Sequence, residues 1–256
     1  VIPRIVHYCW FSGAPWDALT RRCFDSWQRH LPDFEFRLWD RSRVPKGVPF
    51  LDRMLATGDW AYAADYVRLH ALDRVGGLYL DLDVEVFRSF GPLLDQRAFL
   101  SYEDADPARL ACHVIGAEPA HPLVQACLRF YRHSWRLRWS FPPTMPRIVT
   151  LVAQRHFGYR RHHTGGELLD EGVRVYPAHY FTPVSYRQRH LGDDDRRASV
   201  RDDTYALHHW AHAWSWLDRP LGEALPRVPW LFMNREDWRF VFRRLFWERT
   251  RRWLRP

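Results

Sequence analysis

Lysine is almost missing from this 256-residue chain: Lys46 stands alone among 38 basic residues, so arginine carries the cationic charge. A guanidinium fork matches phosphate oxygens in pairs, which suits a phosphate-bearing ligand. A genome rich in arginine codons gives the same composition. Cysteine is scarce too. Cys9, Cys23, Cys112 and Cys127 form no CxxC pair and no regular framework. That argues against zinc ribbons and disulfide scaffolds and predicts a reducing, cytoplasmic setting. No apolar run is long enough to span a bilayer, and no signal-peptide pattern is read in the sequence. Internal repeats and low-complexity tracts are absent as well.

What is present suffices for a large core. Hydrophobic residues make up 46% and aromatics 16%, with 14 Trp, which excludes wholesale disorder. The formal net charge is +8. Ile2 to Trp10 reads as a buried strand, and Phe11 to Pro15 breaks it. Trp16 to His30 has helical periodicity through Leu19, Cys23, Phe24 and Trp27, and Phe34 to Trp39 alternates as a second strand. Strand, helix, strand predicts an α/β domain beginning with a nucleotide-binding half. Trp60 to Val75 is apolar nearly all round, so it reads as a buried helix ended by Gly76-Gly77. Strands are expected at Leu78 to Leu80, Val84 to Phe87, Phe99 to Glu103, Ala111 to Ala117, Arg174 to Tyr176 and Thr204 to Trp210. Helices are expected at His121 to Arg136 and Pro146 to His156, and a charged loop at Asp193 to Asp203.

The last segment differs in kind. From Asp237 to Leu254 the apolar residues Trp238, Val241, Phe242, Leu245, Phe246 and Trp253 recur at helical spacing among arginines. Such a helix either lies on an anionic membrane surface or docks its apolar face on the main domain. The organisation predicted is a main domain over 1–220 and a basic amphipathic segment over 221–256.

Two carboxylates stand out. Asp81 and Asp83 are two apart on an extended backbone, so both face one spot while Leu82 points to the core. Paired carboxylates are costly without a cation nearby, and a hard divalent ion with oxygen ligands answers that cost. A bare DxD is a weak signal; its place after a buried run and a Gly-Gly turn sharpens it. Asp65 and Arg68, three apart on one helix face, form either a bracing ion pair or part of a polar pocket for sugar hydroxyls. His208-His209 closes the last strand. A lone His pair is commonly packing, but beside two Asp it suits a metal such as Mn²⁺.

These motifs, taken together, resemble a known family. Ile2-Pro3-Arg4-Ile5-Val6-His7-Tyr8-Cys9-Trp10-Phe11 is similar to its opening. Asp65-Tyr66-Val67-Arg68-Leu69 followed by Gly76-Gly77-Leu78-Tyr79-Leu80-Asp81-Leu82-Asp83-Val84 is similar to its core, and His208-His209-Trp210-Ala211-His212-Ala213-Trp214 to its close. The family is glycosyltransferase family 32, the DXD-motif sugar transferases, related to the clostridial glucosylating toxins. The resemblance implies a GT-A fold with a mixed central sheet, retaining transfer, and Mn²⁺ or Mg²⁺. It puts Trp10 on the donor base, Asp65 and Arg68 on the donor sugar, and Asp81 on ribose, sugar or a metal-bound water. It makes Asp83 a direct metal ligand, His208 a candidate ligand and Trp214 a diphosphate contact. Ala64 and Ala213 stand where the family carries Ser; the loss of the second hydroxyl leaves His209, His212 or water to complete the metal site, or Ser215-Trp216 by a register shift.

The expected partners are a nucleotide-sugar donor, UDP- ahead of GDP-, and a glycan or lipid-linked glycan acceptor, at the inner face of the membrane. A protein acceptor, as for the related toxins, is an alternative. Glu103, Asp104 and Asp106 read either as acceptor contacts or, more simply, as a solvated loop. The rival enzyme is a haloacid dehalogenase-type phosphatase, with Asp81 as nucleophile and Asp83 as acid, but no lysine follows the motif. A basic membrane-surface module and an inactive homologue are the non-enzymatic readings; no nucleic-acid motif is present.

Overall fold

The computed structural model describes residues 1–103, 109–134, 144–160 and 165–211. In chain order the elements are β1 (Ile5–Cys9), α1 (Ala18–His30), β2 (Glu35–Trp39), α2 (Pro49–Thr57), α3 (Trp60–Val75), β3 (Gly77–Leu80), β4 (Val84–Val86), β5 (Ala98–Ser101), β6 (Val114–Ala117), α4 (Pro122–Ser134), α5 (Met145–His156), β7 (Glu167–Leu168), β8 (Val173–Tyr176), α6 (Asp193–Ala198) and β9 (Ala206–His208). Seven strands form one mixed sheet in the order β2-β1-β3-β6-β5-β8-β7. β1 runs parallel to both β2 and β3, and β6 is antiparallel to β3 and β5. β4 leaves this sheet and pairs antiparallel with β9, with Val84 opposite His208.

The expected strand–helix–strand opening is present. One apolar cluster gathers α2, α3, α4 and α5 on one face of the sheet; another packs α1 on the opposite face. Trp27 is fully buried and its indole N–H donates to the Val84 carbonyl at 2.7 Å. The Val86 N–H donates to the Ser26 hydroxyl at 2.8 Å. Helix α1 therefore fixes the strand that follows the paired carboxylates.

The Gly-Gly turn has a steric reason. At Gly76 (φ 71°) an added Cβ would lie 2.6 Å from Pro119 Cδ, and at Gly77 (φ 108°) 2.6 Å from the Ile5 carbonyl oxygen. Only glycine admits both the backbone angle and the approach of β1. His7 ties the same corner. One imidazole nitrogen meets the Gly76 carbonyl at 2.9 Å and the other accepts from the Trp39 indole at 3.1 Å. Burial pulls its pKa down to about 4, so the ring is neutral.

Several expectations are corrected. Asp193 to Asp203 is not all loop: Asp193–Ala198 forms α6, with acids in its first turn and Arg196 and Arg197 in its last, the order the helix dipole favours. Helix α2 was not expected; Pro49 opens it and Gly58 (φ 74°) closes it. The strand expected over Ala111 to Ala117 begins only at Val114. The 1–220/221–256 boundary and the terminal amphipathic segment lie outside the described residues. No helix among the described residues is long and apolar enough to cross a membrane.

Candidate active site

Ligands of open α/β sheets gather beyond the carboxyl ends of the parallel strands. β3 ends there at Leu80, and Asp81-Leu82-Asp83 follows at once. Leu82 is buried as expected, while the Asp81 side chain keeps 27% of its surface exposed and Asp83 only 4%. Asp81, Asp83 and His208 offer ligand atoms that all lie within 4.8 Å of one another. The β4–β9 pairing makes this possible, because it brings a residue 125 positions downstream of Asp83 to its side.

Each member is held by neighbours. His208 Nε2 lies 3.3 Å from Asp83 Oδ1, and the Ala211 N–H donates to Asp83 Oδ2 at 2.9 Å. The His208 ring stacks on His113 at 4.3 Å and leans on Trp210 at 4.1 Å. Its Nδ1 is buried without a hydrogen-bond partner. Burial disfavours the imidazolium, but the Asp83 carboxylate outweighs it and raises the His208 pKa. Asp81 is raised by burial and by Asp83, against the pull of Arg68. His113 is pushed well below the ordinary imidazole range by burial, so it packs as a neutral ring.

Arg68 is buried on α3 and linked to both flanking carboxylates. Its Nη2 lies 3.1 Å from Asp65 Oδ1 and 3.3 Å from Asp81 Oδ1. Nη1 donates to the Cys112 carbonyl, and the guanidinium carbon sits 4.4 Å over the Tyr79 ring. The Tyr79 hydroxyl donates to Asp81 Oδ1 at 3.0 Å. Asp65 faces the Met145 N–H at the start of α5 and the Tyr131 hydroxyl, and burial lifts its pKa to about 7. The two readings of Asp65 and Arg68 thus merge: they are an ion pair, and the pair opens onto Asp81.

Of the other expected residues, Trp10 follows β1, its indole N–H donating to the Ala14 carbonyl at 2.9 Å and its ring edge-on to Trp16. β1 neighbours β3, and Cys9 lies against Tyr79 and Asp81. His209 does not join the carboxylate pair. Successive strand residues point to opposite sides, and its Nε2 turns to Glu85 Oε2 at 2.9 Å. Glu103 approaches Arg109 and stands close enough to raise His208. Trp214, His212, Asp104 and Asp106 lie outside the described residues. Tyr79, His113 and Glu85 were missed. Tyr79 was findable, two before Asp81 on the same strand face; His113 and Glu85 depend on pairings the sequence does not announce.

A donor set of two carboxylates and one imidazole with an unpartnered nitrogen fits a divalent cation such as Mn²⁺ or Mg²⁺. Residues 17–100 match the family described as "Glycosyltransferase sugar-binding region containing DXD motif". Over that third of its length this chain is similar to the DXD sugar-binding region of the glycosyltransferases. Helix α1 through β4, with Asp65, Arg68, Asp81 and Asp83, lie within that region, and it ends inside β5. Among relatives, inositol phosphoceramide mannosyltransferase 3 of Schizosaccharomyces pombe is 30% identical over 136 residues, covering 50% of this chain and 36% of its own. Mannosyl phosphorylinositol ceramide synthase SUR1 of Saccharomyces cerevisiae is 25% identical over 200 residues, covering 73% of this chain and 49% of its own. The chain thus spans less than half the length of the curated relatives it matches. The glycosyltransferase GlyE of Streptococcus pneumoniae superposes with a TM-score of 0.50 at 10% identity, over 97% of this chain and 64% of that one. The fold is GT-A, a mixed sheet with helices on both faces, as the resemblance implied.

Proposed function

We propose that this protein is a retaining glycosyltransferase that takes a hexose from a nucleotide-sugar donor in the presence of Mn²⁺ or Mg²⁺. The observation that carries the reading is the convergence of Asp81, Asp83 and His208 within 4.8 Å, beside a buried Arg68. A divalent cation held there would offset negative charge on the donor diphosphate. The other tasks fall to the chain. Arg68 is fixed by two carboxylates, a carbonyl and an aromatic face, so its positive charge is oriented before the donor arrives. Asp65, whose pKa burial lifts to about 7, lies 3.1 Å from Arg68 and helps orient that guanidinium. No side chain in the cluster is placed as a covalent nucleophile. The acceptor hydroxyl would attack on the face the diphosphate leaves, and the departing phosphate oxygen would take its proton.

The names of both fungal relatives specify mannosyl transfer and an inositol-phosphate ceramide. They favour a mannose-type donor and a phosphate-bearing lipid-linked acceptor for this chain. The test is a thermal-shift and hydrolysis screen of UDP- and GDP-sugars with and without Mn²⁺. Stabilisation by one donor only with metal supports the class and identifies the nucleotide. Indifference to every donor would overturn it.

A further inference from the structure

The charge of the chain has a centre that its sugar-transfer motifs do not explain. Between Glu118 and Glu167 there is no Asp or Glu, yet eight arginines fall there, as many as the formal net charge of +8. Elsewhere 30 basic residues balance 30 acidic ones. The bounding acids are engaged: Glu118 accepts from Arg97 at 2.7 Å and Glu167 from the Tyr102 hydroxyl at 2.5 Å.

α4 and α5 lie within this stretch and pack side by side on the same face of the sheet. Leu123, Val124, Cys127 and Leu128 of α4, with Ile148 and Val149 of α5, are turned into the core. The outer side carries Arg129, Arg132 and Arg155, all exposed, with Arg147 half-buried. Arg147, Leu151 and Arg155 follow one another at four-residue spacing, so they share one helix stripe. Leu151 stands between the two arginines with 41% of its surface in solvent.

We propose that the outer face of α4 and α5 is a docking surface for an anionic lipid bilayer. Its arginines meet lipid phosphates, and Leu151 enters the headgroup layer. A nucleic acid would also meet the arginines, but a phosphate backbone gives no use to an exposed leucine at the centre of the stripe. The surface stands independently of the transfer reaction. Its position relative to that site is telling, because α5 begins at Met145, whose N–H faces Asp65. A helix of 12 residues is about 18 Å long, so a lipid-borne acceptor would be presented within one helix length of the sugar site.

The test is co-sedimentation of the full chain with phosphatidylcholine vesicles, plain or with roughly a quarter phosphatidylglycerol, at low and high salt. Binding to the anionic vesicles alone, weakened by salt, is expected. Arg129→Ala, Arg132→Ala and Arg155→Ala should each weaken the partition about fivefold, and the triple variant about a hundredfold. Leu151→Ser should weaken it less. The unfolding midpoint of each variant, measured alongside, separates lost docking from lost folding. The proposal is overturned if wild type ignores anionic vesicles. It is equally overturned if the triple variant binds them as wild type does, which would place the contact elsewhere, the basic segment 237–256 first. Arginine-dependent binding to an RNA oligonucleotide without vesicle binding would also reject it.

Discussion

His208 and His209 are adjacent, both buried, and both paired with a carboxylate, yet they serve opposite ends. His208 faces Asp83 across 3.3 Å with an unpartnered Nδ1, and Asp81 stands beside them. His209 sits 2.9 Å from Glu85, whose other oxygen receives Arg197 at 2.5 Å, while Arg22 lies 3.7 Å away. The Arg196 guanidinium donates to the His209 carbonyl at 2.6 Å. In the first pair His208 Nδ1 is left without a hydrogen-bond partner; in the second both Glu85 oxygens are taken. Successive residues send the two imidazoles to opposite sides, and the turn before β4 brings the Asp83 carboxylate to His208 rather than to His209. The saturated pair keeps the end of β9 in place, so that the His209 and Ala211 N–H groups meet Asp83 at 2.9 Å each.

If that division is right, the two carboxylates should fail in different ways. Asp83→Asn should lower turnover of a nucleotide sugar by roughly a thousandfold or more, and should abolish the rise of the unfolding midpoint with Mn²⁺. The metal-free midpoint should move little. Loss of activity with the Mn²⁺-dependent shift intact would break the comparison, because Asp83 would then not belong to the open site. His208→Ala should cost less, about 10- to 100-fold in Mn²⁺ affinity read by titration, with activity recovered at high metal.

Much of this site was legible in the sequence. Asp65, Arg68, Asp81 and Asp83 lie within 19 residues, and periodicity placed the first two on one helix face; the extended spacing expected for Asp81 and Asp83 is instead a turn, in which the Val84 N–H donates to the Asp81 carbonyl at 3.0 Å. Gly76-Gly77 could be read as a helix cap; that a Cβ there would strike Ile5 and Pro119 could not, because those contacts come from distant β1 and from the turn after β6. The same limit explains His209. Its neighbour His208 and the DXD motif made it an attractive ligand, and only the register of β4 against β9 shows that it turns toward Glu85. Helix α2 was missed because its nine residues are too few for periodicity to decide. The charged stretch after Gly192 was read by composition, which does not register that acids first and arginines last is a helix signal.

Glu85→Gln sharpens the comparison from the other side. It leaves His209, Arg197 and Arg22 facing an amide, a loss of about 2 kcal/mol by denaturant titration. A fully buried pair would lose more, but the side chains of Arg22 and Arg197 keep 34% and 46% of their surface in water. Turnover with saturating metal should fall only a few-fold. A drop as deep as that of Asp83→Asn, with an unchanged denaturation curve, would place Glu85 among the reacting groups instead.

The smallest effect is a difference in pH dependence, measurable in metal-free protein. The Asp83 carboxylate holds the folded pKa of His208 above its unfolded value. The stability this gives is complete below the unfolded imidazole pKa and is lost as pH rises through the folded one. Glu85 is the reverse case. Burial pushes its pKa up, but the hydrogen bond from His209 and the charges of Arg197 and Arg22 outweigh it, so the folded value is lowered. Its stabilisation is present above the unfolded carboxylate pKa and is lost as pH falls through the folded one. His208→Gln should therefore flatten the alkaline side of the stability profile, and Glu85→Gln the acid side. If both variants flattened the same side, the two histidines would share one electrostatic environment, and the separation of an open site from a saturated brace would be lost.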